Sequence, residues 1–437
     1  MKVAVIGFGY IGSVISAVLC KEGLEVLAVE KNKKVVEDLN QGLSNIPEPG
    51  LASLIKESIE KGALSGTSDY RNVHNCDVIL VTVGTPLNEK YDADLTALKE
   101  VFKELSSVCS DGQTIMIKST VPPGCSRQLY EEYLGNKDIN LAFSPERLAE
   151  GNAISQLKEL PIIVGGINER STKECSKFWK TALNSEVIEV SSSEAAELVK
   201  LADNQWIDLN IALSNELAIL CDSLPYDVDV LEVIEGANTL KKGTHYVNIL
   251  TPSIGVGGYC LTKDPWFLDA LAKKVETPIK LPSAGRGAND YMPHYAAKEV
   301  SDYIKSRKDG SFDSKISVLG YSFKSNSGDI RFTPMKVFVD NLIEKGYQNI
   351  NIYDPTITDE RYKNEFIKWF DSYEDCLDNS LVCIFGAAHD EFKNIPLTKL
   401  AEKMNNEGLV YDGRIYLTKK EIKELRDLGL SYKGIGR

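Results

Sequence analysis

One cysteine stands where its neighbours could support chemistry. Cys260 ends the glycine-rich run GVGGYC at 255–260 and is followed closely by Lys263 and Asp264. The thiolate is the nucleophilic form of cysteine, and a nearby cation such as Lys263 favours it over an intrinsic pKa of about 8.5. The glycines leave room for a substrate to reach the sulfur. Cys260 is therefore a candidate nucleophile, beside the ordinary alternative of a small buried apolar residue.

Three more polar residues could serve the same chemistry. Lys200 and Asn204 are four positions apart in a stretch with helical periodicity, so they share one face of the predicted helix. Such a pair is also common on a solvated surface. Glu146 follows Ser144-Pro145 and is either a functional carboxylate or a first-turn residue that the helix dipole favours.

A phosphate-binding pattern opens the chain. The run GFGYIG at 7–12 follows an apolar strand and precedes a helix, and Glu30 ends the next predicted strand. Glycines let the backbone turn tightly and let a pyrophosphate approach the helix N-terminus, where N–H groups and the dipole favour negative charge. Glu30 would bind the adenine ribose and repel a 2′-phosphate. The pattern predicts NAD rather than NADP, despite nearby Lys31, Lys33 and Lys34, and its alternative is a tight turn in a flavodoxin-like fold.

The elements that must position these residues begin with a βαβ unit. Val3–Ile6 reads as a buried strand, Ser13–Glu22 as a helix and Glu25–Val29 as a second strand. Strand and helix signals alternate to about residue 190, which predicts a doubly wound parallel sheet. The run from Ser193 to about Ser223 has no proline or glycine and predicts one long helix that bridges domains.

A second strand–helix–strand pattern, similar to the one at the start of the chain, lies near the C-terminus. Ile316–Leu319 reads as a strand ending at Gly320, and Ile350–Tyr353 as the next strand, after which Asp354 takes the place of Glu30. The GxGxxG glycines are missing, so this copy should bind something other than a dinucleotide. The sequence therefore predicts an α/β protein with two Rossmann-like doubly wound parallel-sheet domains joined by a long central helix, divided at 1–192, 193–300 and 301–437.

Composition narrows the class of protein. The chain has 437 residues, with 50 lysines and arginines against 63 aspartates and glutamates and a formal net charge of −13. This sign argues against a general binder of nucleic acids or anionic membranes. Nine cysteines without a CxxC pair disfavour zinc and disulfides and favour a reducing cytoplasm. The four histidines lie far apart, so we expect no metal site. No apolar run reaches the roughly 18 residues of a membrane span.

Together these motifs resemble one family, the UDP-glucose/GDP-mannose dehydrogenases, which are nucleotide-sugar 6-dehydrogenases. The likeness covers essentially the whole chain. Its motifs are GFGYIG at 7–12, VGTP at 83–86, STVPPG at 119–124, SPERLAEG at 144–151, the Lys200/Asn204 helix, GVGGYCLTKDP at 255–265, Asn289-Asp290, and Phe323-Lys324 with Asp329 and Arg331.

The resemblance implies a four-electron oxidation of a sugar C6 hydroxyl to a carboxylate, with two NAD molecules reduced per substrate. Cys260 would attack the aldehyde to give a thiohemiacetal, whose oxidation yields a thioester that water hydrolyses. Lys200 and Asn204 would stabilise the oxygen on C6. Asp264 matches the family aspartate for proton transfer or water activation. The family's water-assisting glutamate and threonine match Glu146 and Thr120.

The resemblance also implies binding roles. Residues expected at the NAD site are Gly7, Gly9, Tyr10, Ile11, Gly12, Glu30, Thr85, Ser119, Thr120, Glu150, Lys263 and Arg331. Residues expected to contact the UDP-sugar are Glu146, Arg147, Leu148, Lys200, Asn204, Gly257, Gly258 and Lys324. In this family the first domain takes NAD, the last takes the sugar nucleotide and the long helix builds the dimer core, so we expect a homodimer or a higher homo-oligomer.

The motifs do not agree on one sugar. PER at 145–147, VNIL at 247–250 and DPWF at 264–267 resemble the branch that oxidises UDP-N-acetylmannosamine and UDP-N-acetylglucosamine. LAEG at 148–151 and Lys263 resemble the UDP-glucose branch. Tyr259 stands where these branches usually have histidine or serine. We favour a UDP-N-acetylhexosamine, with UDP-glucose and then GDP-mannose as alternatives.

Two other classes of protein stay open. A two-electron dehydrogenase of the hydroxyacid type also has a Rossmann domain followed by helices, but it gives Cys260 no role. A non-catalytic dinucleotide sensor, whose second Rossmann-like domain binds a partner, would not need Lys200, Asn204, Cys260 and Asp264 together. A Cys260→Ala change would spare the activity of the two-electron dehydrogenase.

Overall fold

The computed structural model describes residues 1–358 and 361–437. They form two compact units, the first made of residues 1–203 with 266–278 and the second of residues 204–265 with 279–437. The predicted division into three domains stays a prediction.

The first unit contains a sheet of eight strands with helices on both faces. Its strands are β1 (Lys2–Ile6), β2 (Glu25–Val29), β3 (Leu64–Thr67), β4 (Val78–Val81), β5 (Thr114–Ile117), β6 (Asn140–Phe143), β7 (Ile162–Gly166) and β8 (Val187–Glu189). Its helices are α1 (Tyr10–Lys21), α2 (Lys33–Asn40), α3 (Leu51–Glu60), α4 (Thr96–Val108), α5 (Cys125–Leu129), α6 (Ala153–Glu159) and α7 (Glu169–Leu183), with short helical turns at Tyr70–Asn75 and Tyr130–Leu134.

The order of this sheet is β3-β2-β1-β4-β5-β6-β7-β8. Neighbouring strands are parallel except β6 and β7, which are antiparallel. The predicted parallel, doubly wound sheet is thus confirmed apart from this pair, since periodicity identifies a buried strand but not its direction. The strand order reverses between β1 and β4, and ligands of such sheets bind at the carboxyl ends of the strands at that point.

Burial on both faces explains the continuous apolar strands. In β1, Val3 and Val5 belong to one apolar cluster, whereas Ala4 and Ile6 belong to another. Successive side chains of a strand point to opposite faces, so each cluster is the core between the sheet and one layer of helices. The carboxyl end of β1 is thereby fixed between two cores.

Two long helices and several shorter elements join the two sheets. They are α8 (Ser193–Ser223), α9 (Val230–Asn238), the small hairpin β9 (Lys241–Lys242) and β10 (His245–Tyr246), α10 (Asp264–Lys274) and α11 (Leu281–Ser306). The predicted bounds of the long helix α8 agree with the structure. Within residues 1–358 and 361–437, no helix has both the length and the apolar character that a membrane crossing requires.

The second unit has a six-stranded sheet in the order β13-β12-β11-β14-β15-β16, with all neighbours parallel. Its strands are β11 (Ile316–Leu319), β12 (Ile350–Tyr353), β13 (Ile367–Trp369), β14 (Ser380–Phe385), β15 (Met404–Asp412) and β16 (Ser431–Gly434). Its helices are α12 (Pro334–Glu344), α13 (Tyr373–Leu377), α14 (Asp390–Lys393), α15 (Leu397–Lys403) and α16 (Lys419–Asp427). The central order repeats that of the first sheet, which confirms the predicted second Rossmann-like fold.

The two sheets share a carboxylate contact at the end of their second strands. Glu30 accepts a hydrogen bond from the N–H of Phe8, at 2.9 Å. Asp354 accepts hydrogen bonds from the N–H groups of Tyr321 and Ser322, at 2.8 and 2.9 Å. In each unit a carboxylate after the second strand therefore holds the loop that follows the first.

Candidate active site

The loop after β1 forms a glycine cradle. Gly7 has φ +91°, a conformation that residues with a side chain rarely adopt. A Cβ atom on Gly12 would lie 1.9 Å from the carbonyl oxygen of Gly7, so α1 can begin this close to β1 only with glycine there. No side chain of the described residues caps α1 at Gly9. The first-turn N–H groups of α1 are thus available to an anionic ligand.

A cavity of about 810 Å³ lies beside this cradle. Its lining includes Gly7, Gly9, Glu30, Lys31 and Arg71. The Glu30 carboxylate accepts the N–H of Phe8 and of Asn32, both at 2.9 Å, yet each of its oxygens has a second lone pair for a ribose hydroxyl. Size, glycine cradle and carboxylate fit the adenosine diphosphate half of NAD.

The loops after β4 and β5 are tied together next to the cradle. Thr85 is buried, and its hydroxyl donates a hydrogen bond to the carbonyl oxygen of Thr120 at 2.6 Å. The Ser119 hydroxyl donates to the carbonyl oxygen of Val81 at 3.4 Å. These contacts bring three residues predicted at the NAD site to one edge of the sheet.

The segment after β6 carries Glu146, Arg147 and Leu148. The Glu146 carboxylate accepts the N–H of Leu148, so its conformation is fixed by its own turn. The Arg147 guanidinium donates to the carbonyl oxygen of Pro161 and lies 3.8 Å from the Asp203 carboxylate. Arg147 therefore has local partners in addition to its predicted role with substrate.

Tyr10 and Ile11, both predicted at the cofactor site, are partly buried against the core. The Tyr10 hydroxyl donates to the Glu48 carboxylate, which also accepts the N–H of Gly151 at 2.6 Å. Glu150 lies half-buried just before that glycine. Sequence reasoning missed Glu48, since a carboxylate between two prolines has no periodic or motif signal. It attaches the Glu150 segment to α1.

Lys118 is a second residue that sequence reasoning missed. Its ammonium group is buried, donates to the carbonyl oxygen of Ser144 at 3.0 Å and lies 4.9 Å from the centroid of the Trp179 ring. Burial lowers the pKa of Lys118 to about 8, the charge of Glu146 opposes this shift, and the charge of Lys200 adds to it. A lysine directly after a buried strand was the available signal.

Cys260 lies in the second unit and is exposed, whereas the eight other cysteines of the described chain are buried. Its carbonyl oxygen accepts the N–H of Lys263 at 3.2 Å and of Asp264 at 2.9 Å. These bonds form the turn from which α10 begins. The candidate nucleophile is thus presented at a helix start, on a backbone with fixed hydrogen bonds.

Asp264 is fully buried and shared between two partners. Its carboxylate pairs with the Lys263 ammonium group and accepts a hydrogen bond from the Asn204 side-chain amide. A buried charge is tolerated when it is paired and hydrogen-bonded. Asp264 thus connects Lys263 and Asn204, two other predicted site residues of the second unit. It lies four positions after Cys260 in the sequence.

The glycines before Cys260 also meet a packing requirement, beside the access to sulfur that the sequence predicts. A Cβ on Gly257 would lie 2.5 Å from the Cβ of Phe323, and one on Gly258 would lie 2.7 Å from the Phe323 ring. Gly258 also has φ +83°. The glycine run is therefore needed for Phe323 to pack against it.

The Tyr259 ring lies close to two cations predicted at the NAD site. The Lys263 ammonium nitrogen is 5.4 Å and the Arg331 guanidinium carbon 5.9 Å from the centroid of its ring. The Arg331 side chain forks to the Asp329 carboxylate at 2.9 Å, and its carbonyl oxygen accepts the N–H of Gly258 at 3.1 Å. Cation–aromatic contacts of this kind keep positive charge near the cysteine loop.

Arg414 is a third residue that the sequence did not reveal. Its guanidinium donates to the carbonyl oxygens of Gly386 at 2.7 Å and Phe323 at 3.1 Å. Burial lowers the pKa of Arg414 to about 10. In the part of the chain that the structure describes, no carboxylate pairs with it. Lys324 lies half-buried in the same region, in the loop after β11. Two cations near the strand ends suit a diphosphate.

The predicted site residues divide between the units. The first unit contains the glycine cradle with Glu30, and Thr85, Ser119, Thr120, Glu146, Arg147, Leu148, Glu150 and Lys200, while the second contains Asn204, Gly257, Gly258, Cys260, Lys263, Asp264, Lys324 and Arg331. Apart from residues 359–360, which lie outside the described structure, the chain has no cluster of three or more histidine, cysteine, aspartate or glutamate side chains that could hold a metal ion.

Comparison with known proteins gives a consistent result. Profiles of the UDP-glucose/GDP-mannose dehydrogenase family match in order, with the NAD binding domain at residues 1–183, the central domain at 194–291 and the UDP binding domain at 317–419. A UDP-N-acetyl-D-mannosamine dehydrogenase of Methanococcus maripaludis is 33% identical over 418 residues, covering 94% of this chain and 92% of the relative.

Two further relatives extend the comparison. An NDP-N-acetyl-D-galactosaminuronic acid dehydrogenase of Ralstonia solanacearum is 29% identical, over 92% of this chain and 94% of the relative. The solved structure of a UDP-D-ManNAc dehydrogenase from Pyrococcus horikoshii superposes with a TM-score of 0.89 at 28% identity, covering 100% of this chain and 99% of that one.

Proposed function

Since this chain belongs to the UDP-glucose/GDP-mannose dehydrogenase family and is an NAD-dependent nucleotide-sugar dehydrogenase, we propose that it oxidises carbon 6 of a UDP-N-acetylhexosamine to the carboxylate. The observation that supports this most directly is the exposed Cys260 beside the buried Asp264, Lys263 and Asn204. A two-electron dehydrogenase has no use for a nucleophile there.

The first unit would hold the cofactor. Gly7, Gly9 and Gly12 let the pyrophosphate approach α1, and Glu30 would accept hydrogen bonds from the adenine ribose. NAD, when bound, accepts the hydride that leaves carbon 6 in each oxidation. Thr85 fixes the loop that carries Thr120 next to this site.

The cysteine makes the second oxidation possible. The first oxidation converts the alcohol to an aldehyde, and the Cys260 sulfur then bonds to carbon 6 to give a thiohemiacetal. Loss of a second hydride and the hydroxyl proton leaves a thioester. Water attacks carbon 6, the carbon–sulfur bond breaks, and the thiol is released. Per sugar, one water is consumed, two hydrides leave, and three protons are released with an ionised product.

The polar residues would serve the oxygen on carbon 6. Negative charge develops on this oxygen, and Lys200 and Asn204 would stabilise it as donors. Asn204 also donates to Asp264, so the aspartate orients the amide. By the family resemblance, Asp264 would also take part in proton transfer or water activation. Glu146, held by its own turn, would orient the hydrolytic water with Thr120.

The identity of the sugar is supported by the relatives. The relatives compared above are named as dehydrogenases of UDP-N-acetylmannosamine or of N-acetylgalactosaminuronic acid. Both of these sugars contain an N-acetyl group. We therefore place UDP-N-acetylmannosamine and UDP-N-acetylglucosamine ahead of UDP-glucose, whose branch shares LAEG at 148–151. Arg414 and Lys324 would receive the diphosphate common to all of them.

One stoichiometry tests reaction and substrate together. Each of UDP-N-acetylmannosamine, UDP-N-acetylglucosamine, UDP-glucose and GDP-mannose is made limiting with excess NAD, and NADH and uronate are measured. We expect two NADH per N-acetylhexosamine. If two NADH form with UDP-glucose alone, the substrate is UDP-glucose and not an N-acetylhexosamine. If one NADH forms per sugar, the protein is a two-electron dehydrogenase.

The Cys260→Ala variant tests the mechanism. We expect it to release no carboxylate and at most one NADH per sugar, because no thioester can form. Cys221→Ala is the matched control, since Cys221 is a buried cysteine of the same unit and its loss should leave two NADH. Carboxylate release by Cys260→Ala at a near-normal rate would contradict the thioester mechanism.

We also infer a homodimer or a higher homo-oligomer in a reducing cytoplasm. Exposed apolar residues along α8, among them Trp206, Leu213 and Leu220, support self-association. Among the described residues, none of the eight buried cysteines forms a disulfide, which supports this compartment.

A further inference from the structure

A buried polar cluster lies at the strand ends of the second unit. Its members Ser322, Asp354 and His389 follow β11, β12 and β14, and none is more than 4% exposed. None of them takes part in the oxidation chemistry described above. Buried polar groups are retained where their hydrogen bonds specify one conformation, so the partners of this cluster show what it holds.

Both ring nitrogens of His389 are in use. Nδ1 accepts the N–H of Asn326 at 2.9 Å, so this nitrogen has a free lone pair and the ring proton is on Nε2. Nε2 lies 3.1 Å from the Asp354 carboxylate and 3.1 Å from the Ser322 hydroxyl. These contacts hold the ring in one orientation.

Asp354 binds the other side of the ring, and we call His389 and Asp354 together the clamp. Its carboxylate accepts the N–H groups of Tyr321 and Ser322, at 2.8 and 2.9 Å, and the Thr356 hydroxyl at 2.6 Å. Burial acts to raise the pKa of Asp354, but His389 and the other hydrogen bonds outweigh it and lower the pKa to about 2. The carboxylate is thus a fixed anion to which the histidine is attached.

The clamp acts on the segment 322–326, which it holds at both ends. Asp354 and His389 bind its start at Ser322, and His389 binds its end at Asn326. Between them lie Phe323, Lys324 and Ser325. The carbonyl oxygen of Phe323 accepts from Arg414 at 3.1 Å, and the Phe323 ring packs on the glycine run before Cys260.

We propose that His389, together with Asp354, is a positioning residue that holds segment 322–326 in the conformation that binds the diphosphate of the nucleotide sugar. This rests on the proposed function, in which Lys324 and Arg414 receive that diphosphate. His389 touches neither substrate nor cofactor. Its effect passes through the backbone of Asn326 and Ser322 to the two cations.

Substitutions of His389 separate its two contacts. His389→Asn keeps an acceptor near the place of Nδ1, His389→Gln keeps a donor near the place of Nε2, and His389→Leu keeps neither. His294→Leu is the control, since His294 lies exposed in the same unit and its ring forms a hydrogen bond to Asn341, at 2.8 Å, away from segment 322–326. The probes are UDP and NAD, titrated separately by calorimetry into the full chain at pH 8.

We expect His389→Leu to weaken UDP binding by about ten-fold or more, the size of one lost buried hydrogen bond, while NAD affinity is unchanged. His389→Asn should recover most of the UDP affinity, because the Asn326 N–H regains an acceptor. In turnover the Leu variant should raise KM for the sugar nucleotide and leave kcat within about two-fold.

Each other outcome overturns the inference. UDP binding by His389→Leu that equals the wild type would show that the clamp does not position the segment. Equal losses in the Leu, Gln and Asn variants, accompanied by loss of NAD binding, would reduce His389 to a structural residue. If the Leu variant does not fold, the comparison of Asn with Gln decides, with Asn expected to bind UDP more tightly. No UDP binding by the wild type would overturn the proposed function together with this inference, and the wild-type titration identifies that case.

Discussion

At the scale of single residues, Lys118 connects the strand ends that carry Thr120 and Glu146. Its ammonium group is the donor to the Ser144 carbonyl oxygen, two positions before Glu146, and its charge faces that carboxylate. Replacement by methionine keeps the bulk but leaves a buried carbonyl without this donor, which costs about 1–3 kcal/mol. We expect Lys118→Met to lower kcat about ten-fold or more, measured as the initial rate of NADH formation.

The pH dependence of this effect has a definite sign. Since the pKa of Lys118 is lowered to about 8, the ammonium group loses its proton as pH rises through that value. Lys118→Arg keeps the charge and should therefore retain activity at pH 9 better than the wild type does. Lys137→Met is the control, because Lys137 donates to the carbonyl oxygen of Cys109 elsewhere in this unit. Rates of Lys118→Met within two-fold of wild type from pH 6.5 to 9.5 would exclude the role.

What the sequence reveals at this scale depends on whether a residue belongs to a pattern. Cys260 and the glycines at 7–12 were predicted as site residues because composition or spacing sets them apart. Lys118, Glu48 and Arg414 were not, since each acts through burial and through partners far away in sequence. The packing of Phe323 on Gly257 was not predicted, because this contact becomes visible only in three dimensions.

At the scale of elements, α8 fixes the short helix α5 through one side chain. The fully buried Glu197 of α8 accepts the N–H groups of Gly124 and Ser126, at 2.6 and 2.8 Å, at the start of α5. Burial raises the pKa of Glu197 to about 7 despite these hydrogen bonds. The folded state thus prefers the protonated carboxyl group. The stability that this preference gives is complete below the unfolded pKa of about 4.3 and is lost as pH rises through about 7.

Glu197→Gln removes this titration. We expect the melting temperature of the variant, relative to the wild type, to rise by on the order of 5 °C between pH 5 and pH 8, measured by calorimetry with NAD absent. Glu194→Gln on the same helix is the control. Its pKa is lowered to about 2 by the hydrogen bond from Arg127, so its contribution changes only below about pH 4.3. A difference between Glu197→Gln and wild type that is flat across this range would contradict the shifted pKa.

Elements were more predictable than single contacts, for a physical reason. The bounds of β2, β11 and α8 agree with the sequence prediction, because burial of whole strands and a long uninterrupted helix leave a strong periodic signal. Helix α1 begins three residues earlier than predicted, at Tyr10, since the glycine at position 12 was read as part of the turn. The antiparallel β7 was not foreseen, because strand direction depends on a connection and not on periodicity.

At the scale of the whole molecule, α8 presents an apolar face to solvent. Trp206, Leu213 and Leu220 are 52%, 49% and 56% exposed and follow one another at intervals of seven residues. Residues seven apart lie on the same side of a helix, two turns from each other. Large apolar side chains aligned in this way are typical of an interface, and a symmetric pair of chains buries the same face on both partners.

A second copy of this chain is therefore the expected occupant of this face. Light scattering after gel filtration should give a mass of at least twice the 48.3 kDa of one chain for the wild type. Trp206→Glu with Leu213→Glu should shift the mass towards that of one chain, because two buried charges without partners oppose association. Leu43→Glu is the control, since Leu43 is 53% exposed in the first unit, and its mass should equal that of the wild type. NAD binding should survive in both variants, because the glycine cradle and Glu30 lie elsewhere in the chain. A monomeric wild type, or a double variant that keeps its full mass, would exclude α8 as the interface.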